Sequence, residues 1–460
     1  MKSRHLAQLS FPLLAAAIAT ALPLAASASN FQLSEQSVTS LGRAHAGGAA
    51  AAEDASSIWY NPAGLTRLDD SEFLTGASLI RLGADFTKTS ATDASGQALS
   101  GGEGGNVGKL GAVPFIYYST PINDKLDFGI GLGVPFGLAT SYDADSIFRY
   151  QAIYTSVTIL NLDPTLAYRF TDHFSGGFGL DIQRMSVKLT NDVDYGAVCF
   201  GKVNPSTCTA MNLTPQGHDG FFQGEAKDSS AFGFNLGLLW DYDTYRIGFS
   251  YRSKIKHSLD GSATFTNVPS LFWNQGLFHN QSISADFTTP QMASLSGMYK
   301  LNDQWSLYAD WSYTGWSSFD RLTINFANSA QPPSTVDEGL SNVNRLSFGT
   351  DYRYSDSWTF RAGVAWDKSP VPDPTSASNT TANDTNASRG ARLPDADRKW
   401  LAFGATWRVS EHSQWDIGYS HLFLNGHIPF NQLNAGGGDH VVGQFDADAD
   451  ILGVSYRYRF

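Results

Sequence analysis

The chain closes on "ILGVSYRYRF", residues 451–460. Successive side chains of a strand point to opposite faces, so Leu452, Val454, Tyr456, Tyr458 and Phe460 share one side and Gly453, Ser455, Arg457 and Arg459 the other. One face suits hydrocarbon and the other water. The same alternation returns in "YRIGFSYRSK" (245–254), "WSLYADWSY" (305–313), "RLSFGTDYRY" (345–354), "WTFRAGVAWD" (358–367) and "LAFGATWRVS" (401–410). A soluble sandwich would alternate in the same way, and the connections decide between the two.

Candidate strands fall at 72–86, 106–120, 125–140, 157–170, 173–189, 230–242, 244–258, 285–301, 304–327, 342–354, 357–367, 398–409, 413–427 and 441–460. Short turns at "PIND", "FTDH", "DYDT", "LNDQ", "YSDS" and "VSEH" alternate with long polar loops. That rhythm predicts an all-β fold, a transmembrane antiparallel barrel of about 14 strands, with both termini on the periplasmic side. Closure also removes sheet edges, whose unpaired donors are costly in hydrocarbon. A final strand ending on an aromatic residue resembles the sorting signal of outer-membrane barrels, so the barrel-assembly machinery is an expected partner.

Composition agrees with this reading. The 460 residues include 44 Gly, 30 Phe, 19 Tyr and 11 Trp at a net charge of −12, and the mean hydropathy is −0.21. Many aromatics without a long apolar run fit strands with interfacial girdles. The acidic balance argues against nucleic acid. A basic start at Lys2 and Arg4, an apolar stretch from Phe11 to Ala26 and the closing Ala26-Ser27-Ala28 predict a cleaved leader over residues 1–28. Cys199 and Cys208 are the two cysteines, close together in an exported chain, and predict a disulfide and no metal site.

Residues 29–67 precede the barrel (68–460), are rich in Ala, Gly and Ser, and hold Asn61-Pro62-Ala63-Gly64, which cannot run through a strand interior. A barrel this wide leaves a lumen, and the segment is expected to plug it, the alternative being a flexible periplasmic tail. Here "NFQLSEQSVTSLGRAHAG", "AAAAEDASSIWYNPAGLTRL", "VPFGLATSY", "TGWSSF", "WTFRAGVAWDKSPVP" and "LPDADRKWLAFGATWR", in one order from Asn30 to Phe460, resemble the FadL-type long-chain fatty acid transporters, a family that includes TodX-like channels for aromatic hydrocarbons. The resemblance implies fourteen strands and an N-terminal hatch containing Asn61, Pro62 and Ala63. It also implies that Phe31 projects towards a pocket, and that Gly137 marks a strand kink at a lateral opening. Without the resemblance, Gly137 reads as a small lumen-facing residue.

Apolar residues in loops that should face water point to ligand capture. Val268, Leu271, Phe272, Trp273, Leu277 and Phe278 lie in one such loop and Phe221 and Phe222 in the preceding one, either as a groove or as a small core over the barrel mouth. Arg184, Lys188 and Arg361 are candidates for binding a carboxylate head group, with solvated strand-end positions as the alternative. Asp446, Asp448 and Asp450 share one face beyond the apolar band, either as a divalent-cation site beside lipopolysaccharide or as a solvated strand end.

No catalytic motif is found: Ser420 and His421 are adjacent in a strand and face apart, and no phosphate loop or zinc helix is present. No cofactor and no energy-coupling motif is expected. The reading is a monomeric, non-enzymatic outer-membrane transporter in contact with membrane lipid, passing hydrophobic compounds, foremost long-chain fatty acids, by passive gated diffusion with sideways release. The alternatives are an uncharged-hydrocarbon channel and an adhesion or structural barrel.

Overall fold

The computed structural model describes residues 30–371, 390–424, 426–434 and 438–460; the expected leader, residues 1–28, lies outside them. Fourteen strands among the described residues close into an antiparallel barrel. In chain order they are β1 (Glu72–Thr92), β2 (Leu110–Asn123), β3 (Leu126–Ser141), β4 (Tyr154–Thr171) and β5 (Phe174–Asp194). β6 runs through Asp219–Lys227 and Ala231–Asp241, β7 through Tyr245–Arg252 and Ile255–Phe265, and β8 through Gln281–Thr289 and Met292–Lys300. β9 is Trp305–Thr314, prolonged by Arg321–Phe326, and is followed by β10 (Val343–Arg353), β11 (Trp358–Asp367) and β12 (Arg398–Arg408). β13 (Ser413–Leu424, then Ile428–Leu433) and β14 (His440–Arg459) complete the ring. β14 pairs with β1 from Glu72↔Arg459 to Thr92↔His440, which removes both edges.

All six short turns join strands at one end, and the long connections lie at the other. Leu452, Val454, Phe403, Phe348 and Ile417 are exposed on the outer face, as the alternation requires. At the short-turn end Trp358 stacks on Trp407 at 6.0 Å, and Tyr458 packs against Phe460. No helix among the described residues is long and apolar enough to cross a membrane, so strands do the crossing.

Several strands run further towards the long-loop end than the sequence expectation, and the largest difference is in β6, which begins at Asp219 rather than at 230, so Phe221 and Phe222 belong to a strand and not to a loop. Beyond the apolar band both faces of a strand meet polar surroundings, and the period-two signal fades there although the backbone stays paired.

The chain ahead of β1, Asn30–Leu68, is buried almost throughout and consists of short helical turns, including Val38–Leu41, Gly48–Ala51, Ser57–Tyr60 and Pro62–Arg67. It touches inward positions on many strands, and those positions are glycines. Gly177 of β5 and Gly237 of β6 pair with each other under Pro62 and Ala63. Gly363, Gly404, Gly418 and Gly453 lie under residues 38–43, and Gly248 under Ala49. A side-chain carbon at Gly404 would come within 2.9 Å of Gly42, and one at Gly418 within 2.9 Å of the Val38 carbonyl oxygen. Small residues on both surfaces permit this approach of backbone to backbone, which explains the composition of "LGRAHAGGAAAAEDASS". Gly363→Val should therefore overpack the Arg43 backbone at a cost of about 1–3 kcal/mol. The expected outcome is a barrel that keeps its heat-modifiable migration while residues 30–68 become open to protease.

Candidate functional site

The barrel wall has a gap at β3. β2 pairs with β3 from Asn123↔Leu126 up to Ile116↔Leu132 and then parts from it, rejoining only through a bridge between Gly108 and Thr140. On the other side of β3 the register with β4 slips between Gly133 and Phe136, around Val134 and Pro135. Proline has no donor for a ladder, and a bulge at this point bends the strand.

The missing neighbour is supplied from the N-terminal segment. Leu33 N–H donates to the Pro135 carbonyl at 2.8 Å, and Gly137 N–H donates to the Phe31 carbonyl at 2.9 Å. Gln36 Nε2 donates to the Val134 carbonyl at 2.7 Å. Residues 31–36 thus stand where β2 would have stood. Phe31, 4% exposed, sits in an aromatic cluster with Trp316 at 4.8 Å, Phe287 at 5.7 Å, Phe136 at 6.0 Å and Phe319 at 6.3 Å. Leu138, Ile159, Met185 and Leu259 extend the cluster along the inner wall. The Trp316 indole N–H has no acceptor there among the described residues.

Asn61 anchors the other end of the segment. Its Nδ2 donates to the Leu238 carbonyl of β6 at 3.0 Å and to the Ala49 carbonyl at 2.6 Å, while its Oδ1 accepts from Ala63 N–H and caps the turn that Pro62 opens. Between these two ends lies a buried ionic group. Arg43 pairs with Glu53 and with Asp351 at 2.8 Å; Arg361 lies 3.5 Å from Asp351 and 3.9 Å from both Glu53 and Asp416. Such groups persist in a buried place only when each charge has partners.

This geometry corrects the head-group expectations. Arg361 faces inward as the alternation indicates, but its charge is engaged by carboxylates of the wall and of the N-terminal segment. Arg184 and Lys188 point outward: Met185 and Val187 take the inner face of β5, Arg184 lies opposite the exposed Leu160, and Lys188 binds Glu225 at 2.6 Å. A half-buried arginine that sequence reasoning missed is Arg392, in the connection between β11 and β12. It donates to Thr155 Oγ1 at 3.1 Å and Asn191 Oδ1 at 2.9 Å, and no carboxylate among the described residues forms an ion pair with it. Burial lowers its pKa to about 10, which leaves it charged at neutral pH. Burial raises Glu338, whose carboxyl interacts electrostatically with Arg392, to about 7. The neighbouring Leu393 packs against the cluster around Phe31. Its only signal in the sequence was its place beside "LPDADRKW".

The apolar loop residues come together, and they form a small core. Phe272 is buried with Tyr195, Val198, Leu213 and the bonded Cys199–Cys208 pair, and Val268, Leu271, Leu277 and Phe278 pack around them. Phe222 joins a second cluster with Phe265 and Ile283, Phe221 joins neither, and Trp273 is exposed and stacked on His279 at 3.8 Å. Asp448 and Asp450 lie with His421 on the outer face, where Asp450 also binds Tyr419 and Arg81. A separate cavity of about 100 Å³ adjoins Gln32 and is lined by His45, Tyr60, Arg252, Asp310 and Arg345. Trp59, Pro62, Leu236 and Met292 complete a lining that mixes polar and apolar groups.

Phe31→Ala removes the ring that holds residues 31–33 against the kink, and Gln36→Ala removes the bond to Val134. Phe31→Ala is expected to speed hydrogen exchange at the Gly137 amide by about tenfold or more, since loss of a buried aromatic costs roughly 3–5 kcal/mol, and Gln36→Ala by roughly fivefold for one hydrogen bond of about 1 kcal/mol. Exchange at the β12–β13 amides should stay unchanged.

Residues 18–460 match the family described as outer membrane protein transport protein (OMPP1/FadL/TodX). A long-chain fatty acid transport protein of Escherichia coli O6:H1 is 32% identical over 447 residues, covering 94% of each chain. The structure of a Pseudomonas aeruginosa FadL homologue superposes with a TM-score of 0.83 at 24% identity, over 94% of this chain and 100% of that one. The Pseudomonas putida toluene transporter TodX gives a TM-score of 0.62 at 16% identity, over 94% and 100%. The kinked β3, the closed ring of strands and the agreement along nearly the whole length lead to one statement: the chain belongs to the OMPP1/FadL/TodX family of outer-membrane transport proteins.

Proposed function

We propose that this protein carries long-chain fatty acids across the outer membrane by passive diffusion, releasing them sideways through the wall at β3. The carrying observation is that residues 31–36 hydrogen-bond to the backbone of the kink, so the gap is closed by the N-terminal segment and not by a neighbouring strand. Residues 29–67 act as the plug, with Asn61, Pro62 and Ala63 as its fixed end and Phe31 as its mobile one. The long loops face the outside and both termini the periplasm. The protein works as a monomer, and its barrel is inserted by the assembly machinery that reads the terminal Phe460.

Sideways exit has a thermodynamic reason. An alkyl chain gains nothing by entering water, while bilayer hydrocarbon already solvates it at about 0.8 kcal/mol per methylene. The apolar cluster around Phe31 takes the chain, and Arg392 takes the carboxylate. The loop residues Val268, Leu271, Phe272, Trp273, Leu277 and Phe278, with Phe221 and Phe222, serve outer capture through the exposed Trp273 and the edges of their packed core.

A second reading has its own support. Apart from Trp316 Nε1, the packed cluster around Phe31 presents aromatic, aliphatic and thioether groups, chemistry that also suits an uncharged hydrocarbon. Binding and uptake of a labelled long-chain fatty acid beside an alkane of equal length separates the two. Preference for the acid, lost in Arg392→Ala, supports the first reading; equal handling of both supports the second. Gly137→Val should lower uptake severalfold in a heat-modifiable barrel, and unchanged uptake overturns sideways release.

A pH dependence follows from Glu338. Below about pH 7 it is neutral and leaves Arg392 free for a carboxylate; above it the glutamate ionises, competes for Arg392 and repels the ligand. Affinity for the acid should therefore fall as pH rises from 6 to 8, while alkane binding stays level. Glu338→Gln should flatten the profile.

A further inference from the structure

We propose that the outward face of β5, β6 and β7, at the long-loop edge of the apolar band, binds the phosphates of a diphosphorylated glycolipid in the outer leaflet. This rests on the orientation proposed above, with the long loops outside. Arg184, Lys227 and Lys254 are exposed on this face, and none forms an ion pair among the described residues. Lys188 and Lys256 lie beside them, engaged by Glu225 and by Asp286 at 2.7 Å. Asp260 stands opposite Lys227 in the register, so five cations face three carboxylates on one patch of a chain whose net charge is −12.

The height of the patch fits a lipid head group. Arg184 lies ten residues along β5 from Phe174, and Lys254 nine along β7 from Tyr245. Phe174 packs against Trp240 in the aromatic girdle of the short-turn end. A tilted strand needs about 9–11 residues to cross hydrocarbon, so both cations emerge where the opposite leaflet's head groups begin. Directly below them Phe178, Leu180, Phe232 and Phe234 are exposed to acyl chains, Phe232 at 65%.

The width fits two phosphates on one scaffold. Lys254 falls opposite Gly233 of β6, which pairs with Asp181 of β5, so it lies two strand spacings across from β5 and three residues along from Arg184, roughly 14 Å from it. The exposed hydroxyls of Ser186, Ser229 and Ser230 lie between them and suit a sugar.

The test uses the purified full chain in uncharged detergent with diphosphoryl lipid A as probe, read by native mass spectrometry. The variants are R184Q/K227Q/K254Q and a control with charges removed elsewhere, R81Q/K88Q/K399Q. The expected result is saturable binding by the wild type and the control, about tenfold or more weaker in the first variant, with heat-modifiable migration kept by all three. Equal binding by the first variant and the wild type, equal binding of the dephosphorylated lipid, or equal binding of phosphatidylglycerol overturns the proposal. So does the absence of binding by the wild type, including the case in which the patch instead retains an acidic protein. Orientation is read separately, by labelling Asn274→Cys in intact cells with an impermeant reagent: no labelling defeats the orientation and leaves the binding result standing.

Discussion

A backbone polar group in hydrocarbon must be paired, and nearly everything here depends on how that demand is met at one place. Around the ring each strand satisfies its neighbours, and β14 returns to β1 so that no edge remains. At the kink of β3 the neighbour is absent, and its bonds are made by Phe31, Leu33 and Gln36. A pairing between strands gives way only by tearing the sheet. A pairing with the end of a short internal segment can be exchanged for another partner at the cost of a few hydrogen bonds, each worth about 1 kcal/mol net.

The rest of the N-terminal segment is tied to the wall more extensively than that end. Its middle lies on glycines of β6, β7 and β11–β14, close enough that a side chain would collide. Arg43, Glu53, Asp351 and Arg361 tie it to the wall through charges that cannot be left alone in a buried place. Asn61 and Pro62 hold its far end to β5 and β6. The residues at the kink, by contrast, are held to β3 by three hydrogen bonds and by ring contacts, and to other elements by bonds such as Thr314 to Gln32 and Arg345 to Ser34; an entering apolar ligand replaces the ring contacts in kind.

The barrel was legible because its signal is local: alternation, girdles and turns each occupy a few consecutive residues. The shared parity of Arg184 and Lys188 was legible too, but which face that parity meant was not. Only the packing of Met185 and Val187 against the inner cluster settles it. Arg361 was rightly placed on the inner face, yet its partners Asp351, Glu53 and Asp416 belong to other elements, one of them far away in the chain. The loop aromatics fell into a core that joins the bonded Cys199–Cys208 segment to the stretch around Phe272, a contact between two loops that no period within either one announces. The missed Arg392 has the same cause, since its neighbours Thr155 and Asn191 come from β4 and β5.

The central claim is that the stretch around Phe31 must leave the kink for a ligand to pass. Gln32 and Phe136 are bridged across the gap, so cysteines at both positions would tether the segment to β3. The measurement is uptake of a labelled long-chain fatty acid by cells carrying the oxidised Gln32→Cys/Phe136→Cys protein, beside each single substitution. The account predicts that the tethered protein stops transporting while both single variants continue. Transport by the tethered protein at the rate of the single variants would contradict it.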